Sequence, residues 1–131
     1  GDGKTILLVE DDPGVRMLAE MSLRNAGYSV LTCANAAEAH ARFKREGERI
    51  DALFSDIVMA GQNGVELALD LRRQRPGLPV LLCSGYADDT VRWSAIKAEG
   101  LGFIAKPYTT ADLLRALRTA GVRTDDPTLG G

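Results

Sequence analysis

The sequence has little of what marks several common classes of protein. Only two of its 131 residues are cysteines, so no disulfide framework is expected, and Cys33 and Cys83 are interpreted as buried thiols in a reducing cytoplasm. The formal net charge is only −2 and the basic residues are spread along the chain, which gives no sign of direct binding to nucleic acid or to an anionic membrane. No apolar run approaches the length of a membrane span, and no signal peptide is visible.

A glycine-rich phosphate-binding loop is also missing after the first apolar run. The segment at that point reads EDDPG, and its carboxylates would repel a phosphate group unless a cation bridged the two. This argues against a flavin or nucleotide binder.

The content of hydrophobic residues, 45%, and of charged residues, 26%, is ordinary for one globular domain of this length.

Short apolar runs predict four strands that are buried on both faces of a parallel sheet. The runs are ILLV at 6–9, ALF at 52–54, VLLC at 80–83 and FIA at 103–105. A fifth run, SVLTC at 29–33, mixes polar with apolar residues and is more typical of an edge strand.

Helical periodicity fills the intervals between these runs. The first predicted helix ends at Gly27, the second begins after Asn35, the third runs from Asn63 or Gly64 to Pro76, the fourth covers roughly 88–99, and the fifth begins at Thr109 or Thr110. Strand and helix therefore alternate five times, which predicts a three-layer α/β domain with right-handed crossovers. We assign residues 4–121 to this domain and residues 122–131 to a C-terminal tail or truncated linker.

Side chains suited to chemistry follow four of the predicted strands. They are Glu10, Asp11 and Asp12 after the first run, Asp56 after the third, Ser84 and Gly85 after the fourth, and Lys106 after the fifth. Open α/β sheets bind ligands outside the carboxyl ends of their strands, so we expect these residues to share one edge. Each residue alone has an ordinary structural explanation; Asp11 or Asp12, for example, could cap the helix that begins at Pro13.

The combination of these side chains predicts a more specific chemistry. Three carboxylates at one edge repel one another unless a cation lies among them. Oxygen ligands favour Mg²⁺, or Mn²⁺ in its place. The ammonium of Lys106 could neutralise an incoming oxyanion, and a hydroxyl and main-chain amides could bind its remaining oxygens. These are the requirements of phosphoryl transfer with a carboxylate as nucleophile.

Together these motifs resemble the receiver domain of two-component response regulators. Supporting segments are DIVM followed by NG after Asp56, SGYA after the fourth strand, and FIAKPY around the fifth. The resemblance covers residues 4–121 and implies a flavodoxin-like, doubly wound (βα)5 fold with a five-stranded parallel sheet in the order 2-1-3-4-5. The second run, read above as an edge strand, agrees with that order.

The resemblance also implies a role for each residue at the phosphorylation site. Asp56 matches the aspartate that accepts a phosphoryl group from a phosphohistidine on a partner histidine kinase or phosphotransfer domain. Asp12 matches the direct Mg²⁺ ligand and Asp11 the ligand that acts through water, while Val58 offers its main-chain carbonyl to the metal. The main chain of Val58 and Gly85 would bind the phosphoryl group together with Lys106.

A conformational switch is implied as well. Ser84 matches the hydroxyl residue that moves to the phosphoryl group, and Phe103 matches the aromatic residue that swings between outward and inward states. The face formed by the fourth helix, fifth strand and fifth helix would then change for an output partner or for self-association. Such a domain catalyses only its own phosphorylation and dephosphorylation, and it is either a free-standing regulator or the receiver segment of a longer protein, such as a hybrid histidine kinase.

Two alternative functions are less consistent with the sequence than a phosphorylated receiver domain. An aspartate-nucleophile phosphatase of the haloacid dehalogenase type carries a second Asp two positions after the nucleophile, where this chain has Val58. A receiver that binds partners without phosphorylation is disfavoured because the acidic residues, the hydroxyl and the lysine are all present.

His40 is expected to be exposed or half-exposed and not a phosphodonor, and Trp93 is expected to pack on the fourth helix or to serve in an interface.

Ala60 departs from the family pattern, which usually has Pro four residues after the phosphorylated aspartate. Without the proline ring this loop regains freedom in φ and a backbone N–H. We predict that Ala60→Pro raises the free energy of unfolding by about 0.5–1 kcal/mol and leaves phosphorylation intact. Chemical denaturation measures this change, and a large loss of stability would show that the backbone at residue 60 is incompatible with proline.

Overall fold

The computed structural model describes residues 3–85, 96 and 99–121. The strands are β1 (Thr5–Val9), β2 (Ser29–Cys33), β3 (Ala52–Asp56), β4 (Val80–Ser84) and β5 (Gly102–Ala105). The helices are α1 (Pro13–Asn25), α2 (Ala36–Glu46), α3 (Gly64–Gln74) and α4 (Thr110–Ala120), with a short 3₁₀ turn at Gly47–Arg49. The C-terminal helix α4 is the fifth helix of the sequence prediction. The predicted fourth helix, with Trp93, and the predicted tail at 122–131 lie outside the described residues, apart from Ile96 and Glu99 in that helix.

The five strands form one parallel sheet in the order β2-β1-β3-β4-β5, which confirms the predicted fold class and strand order. β1 and β3 are direct neighbours, with Val9 opposite Ser55, and β4 separates β3 from β5. The ends of β1 and β3 therefore come together at one edge. This arrangement brings the acids after β1 next to Asp56.

Apolar side chains cover both faces of the sheet. On one face Leu7 and Val9 pack with Phe43 of α2 and Leu67 of α3. On the other face the alternate strand positions pack with α1 and α4, in a cluster that includes Ile6, Leu8, Leu23, Leu113 and Leu117. Each large side chain that is fully buried contributes about 1.5–3 kcal/mol to stability, and the double coverage explains why the central strands read as unbroken apolar runs.

One strand differs from its sequence prediction. The sequence predicts that the FIA run is a strand buried on both faces, but β5 is an edge strand. Gly102, Phe103 and Ile104 are half-buried, and Ala105 is exposed. An apolar run indicates burial on average and does not reveal that a strand has a neighbour on one side only.

Side-chain caps fix where the helices begin. Asn63 precedes α3 and Thr109 precedes α4, and each forms a capping box with the acidic residue three positions later. Such caps satisfy backbone N–H groups that have no partner within the helix. They also set where the loops that leave β3 and β5 end.

Gly64, the first residue of α3, lies against the backbone of Asp56. A Cβ atom on Gly64 would lie 2.1 Å from the carbonyl oxygen of Asp56, far inside van der Waals contact. The Gly64 N–H donates to the carbonyl of Ile57 at 2.9 Å, so the two chain segments are held together at this point. Glycine is therefore required here for close approach.

We predict that Gly64→Ala lowers the free energy of unfolding by about 2–4 kcal/mol, because backbone must move to admit the methyl group. Denaturant unfolding monitored by circular dichroism measures the change. Gly14→Ala is the matched control near the start of α1, where the new Cβ would approach no atom closer than 3.4 Å and the higher helix propensity of Ala acts alone. Equal effects of the two substitutions would contradict the steric explanation.

Candidate functional site

Three carboxylates meet at the carboxyl edge of the sheet. Glu10 and Asp11 follow β1, and Asp56 is the last residue of β3. One carboxylate oxygen from each lies within 4.8 Å of the others. Glu10 is buried, Asp11 is exposed and Asp56 is intermediate, so the cluster opens to solvent on one side.

Lys106 extends from the end of β5 across β4 to reach this cluster. Its backbone N–H donates to the Ser84 carbonyl at 2.9 Å, which fixes where the side chain starts. Its Nζ lies 2.8 Å from Oε1 of Glu10 and 3.5 Å from Oδ2 of Asp56. The ammonium thus contacts two of the three carboxylates.

The charges at this edge do not balance. When all groups are ionised, three carboxylates and one ammonium leave a net charge of about −2, by simple addition. Burial and the nearby charge of Glu10 raise the pKa of Asp56 from 3.8 to about 6, although Lys106 opposes that rise. The pKa of Asp11 is raised by partial burial and by its contacts with Glu10.

Glu10 and Lys106 stabilise one another's charged forms. Burial alone would raise the pKa of Glu10, but hydrogen bonds from Lys106 and from the Asp12 N–H lower it overall. Burial alone would lower the pKa of Lys106, but the hydrogen bond to Glu10 and the charge of Asp56 raise it. Lys106 is therefore a permanent cation at this site.

Asp12 lies elsewhere, contrary to its predicted place as a direct metal ligand. Its Oδ1 accepts hydrogen bonds from the backbone N–H groups of Gly14 at 2.9 Å and Val15 at 3.1 Å, which makes it the N-cap of α1. The helix begins at Pro13, so the residue before it takes the cap position. The carboxylate cluster contains Glu10 and not Asp12, and Oε1 of Glu10 accepts a hydrogen bond from Nζ of Lys106 at 2.8 Å.

Three other predicted site residues end or follow β3 and β4. Ser84 is buried at the end of β4, opposite Ala105. Gly85 is exposed, and a Cβ built on it would lie 3.8 Å from Cβ of Lys106. Val58 is 43% exposed, and within the described ranges its carbonyl accepts no hydrogen bond. Gly85 thus lies close to Lys106, whereas the part assigned to the Val58 carbonyl stays a prediction.

Phe103 lies farther from the carboxylates, in the middle of β5. It pairs with Leu82 of β4 and packs, half-buried, against the core cluster that contains Ile96. The switch role that the resemblance implies for Phe103, including its motion, stays a prediction.

Sequence reasoning did not identify two contributors to this region. The sequence marks Gly64 as a helix start and as part of the NG segment, but it does not predict the close approach of Gly64 to the backbone of Asp56. His40 contacts Gln62 at 2.8 Å, in the loop after Asp56, and no motif in the sequence links these two residues.

Comparison with known proteins identifies the family. Residues 6–118 match the model of the response regulator receiver domain. The chain belongs to the response regulator receiver domain family. Within the described residues, the receiver domain has no helix long and apolar enough to cross a membrane.

Individual relatives agree with this assignment. The receiver domain is 32% identical over 114 residues to the sensor kinase CckA of Brucella abortus and 33% identical over 130 residues to the probable transcriptional regulatory protein TcrX of Mycobacterium tuberculosis. Those alignments cover 87% and 96% of this chain but only 12% and 55% of the relatives. The chain therefore spans a small part to about half of the curated relatives that it matches.

Solved structures give the same result. The receiver domain of the hybrid histidine kinase CckA has a TM-score of 0.73 and 32% identity, with 88% of this chain and 97% of that chain covered. The chemotaxis protein CheY4 of Vibrio cholerae has a TM-score of 0.81 and 28% identity, with 90% and 98% covered. The similarity thus extends over nearly the whole of both solved chains.

We predict that Asp56→Asn stabilises the metal-free receiver domain at neutral pH. The side chain is only 11% exposed, and its pKa is 3.8 ordinarily but about 6 in the fold. The protonated form is therefore favoured by folding, and stability is lost as the pH rises through about 6. Removing the charge should recover about 1–3 kcal/mol above pH 7 and little at pH 4.

Thermal unfolding in a chelator at pH 4 and pH 7.5 measures this difference. Glu48→Gln, which removes a charge from an exposed position, is the matched control and should change little at either pH. A stabilisation by Asp56→Asn that is the same at both pH values would show that ionisation of Asp56 is not the cause.

Proposed function

We propose that this receiver domain accepts a phosphoryl group on Asp56 from a phosphohistidine of a histidine kinase or histidine phosphotransfer domain. The observation that carries the proposal is the position of Asp56, which ends a buried strand, lies 3.5 Å from Lys106 and shares a cluster with Glu10 and Asp11. The relatives named above include a sensor kinase and a probable transcriptional regulatory protein, and membership of the receiver domain family supports a partner of this kind.

The transfer itself needs an ionised, accessible carboxylate. With a pKa of about 6, Asp56 is mostly ionised at neutral pH. One of its oxygens attacks phosphorus, the new P–O bond forms, and the P–N bond to the imidazole breaks with its electron pair left on nitrogen, which takes a proton from water. Lys106 is placed to pair with the phosphoryl oxygens as their negative charge arrives at the site.

The donor set fits a divalent cation of the Mg²⁺ or Mn²⁺ type. Carboxylate oxygens of Glu10, Asp11 and Asp56 lie close together with an excess of negative charge, and the Val58 carbonyl is the nearby main-chain oxygen that we assign to the same ion. When bound, the ion supplies positive charge that offsets the repulsion among the carboxylates and the incoming phosphoryl oxygens. This set replaces Asp12 with Glu10.

The signal would leave the site through Ser84 and Phe103. A phosphoryl group on Asp56 adds charge and acceptor oxygens, and we propose that the Ser84 hydroxyl and the Gly85 main chain bind them. Ser84 is buried beside β5, so its displacement changes the space available to Phe103. The surface that includes β5 and α4 would then be the one that an output partner or a second receiver reads.

Transfer onto Asp56 and its later hydrolysis are the only steps that we assign to the receiver domain. A phosphatase of the haloacid dehalogenase type has no support, since Val58 stands where that class needs a second aspartate. Whether the parent carries a kinase or a regulatory output, the reaction at Asp56 would be the same.

We predict that incubation with Mg²⁺ and acetyl phosphate adds the mass of one phosphoryl group, and that Asp56→Asn abolishes the gain. Intact-mass spectrometry measures it. No gain in the wild-type protein would contradict the proposal, and a gain that persists in the Asp56→Asn variant would move the acceptor to another residue.

A matched pair of variants in the same experiment tests the ligand set. Asp11→Asn removes a clustered carboxylate and should weaken Mg²⁺ binding, measured by titration calorimetry, by about tenfold or more. Asp12→Asn should leave binding near the wild-type value, because Asn is an equally good N-cap and Asp12 lies outside the cluster. If Asp12→Asn weakened Mg²⁺ binding and Asp11→Asn did not, Asp12 would be the ligand and Asp11 would not.

A further inference from the structure

The loop that follows Asp56 has few backbone contacts. The Ile57 N–H donates to the Cys83 carbonyl, and the Gly64 N–H donates to the Ile57 carbonyl, each at 2.9 Å. Between these points, residues 58–62 make no backbone hydrogen bond within the described part of the chain. Gly61 has a φ of +79°, and Ala60 provides no ring to restrict the backbone. The position of this segment therefore depends on its side chains.

Two side chains of the segment hold it to the rest of the fold. Met59 is 8% exposed and packs in the core. Gln62 makes the two short polar contacts: its Oε1 lies 2.8 Å from Nε2 of His40 in α2, and its Nε2 lies 2.7 Å from Oδ2 of Asp70 in α3. Gln62 thus joins the end of the loop to two helices at once.

The chemistry of the groups fixes the orientation of each hydrogen bond. The Asp70 carboxylate only accepts, so the amide nitrogen of Gln62 must face it, and the amide oxygen must face His40. His40 therefore carries a hydrogen on Nε2 and donates it. The second oxygen of Asp70 accepts from Nη1 of Arg73 at 2.7 Å. Both ends of the Gln62 amide are satisfied in one arrangement, which makes the tether specific.

We propose that Gln62 is a positioning residue for the phosphorylation loop, acting through His40 and Asp70. The inference rests on the proposed function, since the group to be positioned is the Val58 carbonyl, assigned there to the metal. Val58 is four residues before Gln62, and among the described residues the other polar contact of this segment is the longer one, 4.0 Å, from the Ser55 hydroxyl to Sδ of Met59. The hydrogen bonds of Gln62 restrain the loop between a fixed start at Ile57 and a fixed end, and so hold that carbonyl beside Asp56.

The test compares two substitutions of the same kind. Gln62→Met keeps the length of the side chain and removes both hydrogen bonds, whereas Gln74→Met makes the same change on an exposed position of α3. With Mg²⁺ as the probe, calorimetry should show about tenfold weaker binding for Gln62→Met and no change for Gln74→Met. The melting temperature should move by only a few degrees, because the tether is partly exposed.

A rescue variant separates positioning from a general loss of structure. Gln62→Glu places two carboxylates together and should weaken Mg²⁺ binding as much as Gln62→Met. The double variant Gln62→Glu with Asp70→Asn exchanges the amide and the carboxylate between the two positions. The new carboxylate accepts from His40 and from the amide nitrogen introduced at position 70, and the oxygen of that amide accepts from Arg73. Binding should return to within about twofold of the wild-type value.

Backbone ¹⁵N relaxation, without metal or phosphodonor, reports on the loop itself. Residues 58–62 should show lower order parameters in Gln62→Met than in the wild-type protein and near-normal ones in the double variant. Unchanged order parameters in Gln62→Met would overturn the positioning role alone. Unchanged Mg²⁺ binding in Gln62→Met would do the same, provided that the wild-type protein binds Mg²⁺ and is phosphorylated. A wild-type protein that neither binds Mg²⁺ nor accepts a phosphoryl group would contradict the proposed function and the positioning role with it.

Discussion

The ammonium of Lys106 holds together carboxylates that would otherwise repel one another, and the rest of the site depends on that contact. Nζ lies 2.8 Å from Glu10 and 3.5 Å from Asp56, but one positive charge cannot neutralise three negative ones. The sheet supplies the energy to keep them close, because β1 and β3 are buried neighbours and their ends cannot separate without loss of the core. The raised pKa of Asp56 reflects this crowding of charge, and the divalent cation proposed for the site would offset the repulsion.

Most of the fold could be predicted because burial on two faces leaves a simple pattern. The central strands must be apolar throughout, and capping residues such as Asn35, Asn63 and Thr109 have short-range partners that sequence spacing reveals. The half-exposed state of β5 could not be predicted from its own residues. It follows from the strand order, since an edge strand has a neighbour on one side only. That order came from the family resemblance and not from the FIA run itself.

At the site, the sequence predicted which strands deliver the acids but not which acid points where. Three successive acidic residues follow β1, and two demands compete for them: a cation cluster and the N-terminus of α1. Pro13 decides the outcome, because a helix that begins there makes Asp12 the cap and leaves Glu10 and Asp11 for the cluster. The contact of His40 with Gln62, 22 residues apart, depends on how two helices and a loop pack, and no local pattern encodes it.

The loop after Asp56 shows how a position can be held without a rigid backbone. A proline would restrict φ in every state of the protein, folded or unfolded, phosphorylated or not. The hydrogen bonds at Gln62 act only in the folded state, and each contributes about 1 kcal/mol net, while the buried Met59 keeps the loop attached to the core. A loop held in this way has one preferred position but little energy to lose when it moves. Under the proposed function, a cation or a phosphoryl group that arrives beside Asp56 would therefore readjust Val58 without disturbing the strand that ends in the aspartate.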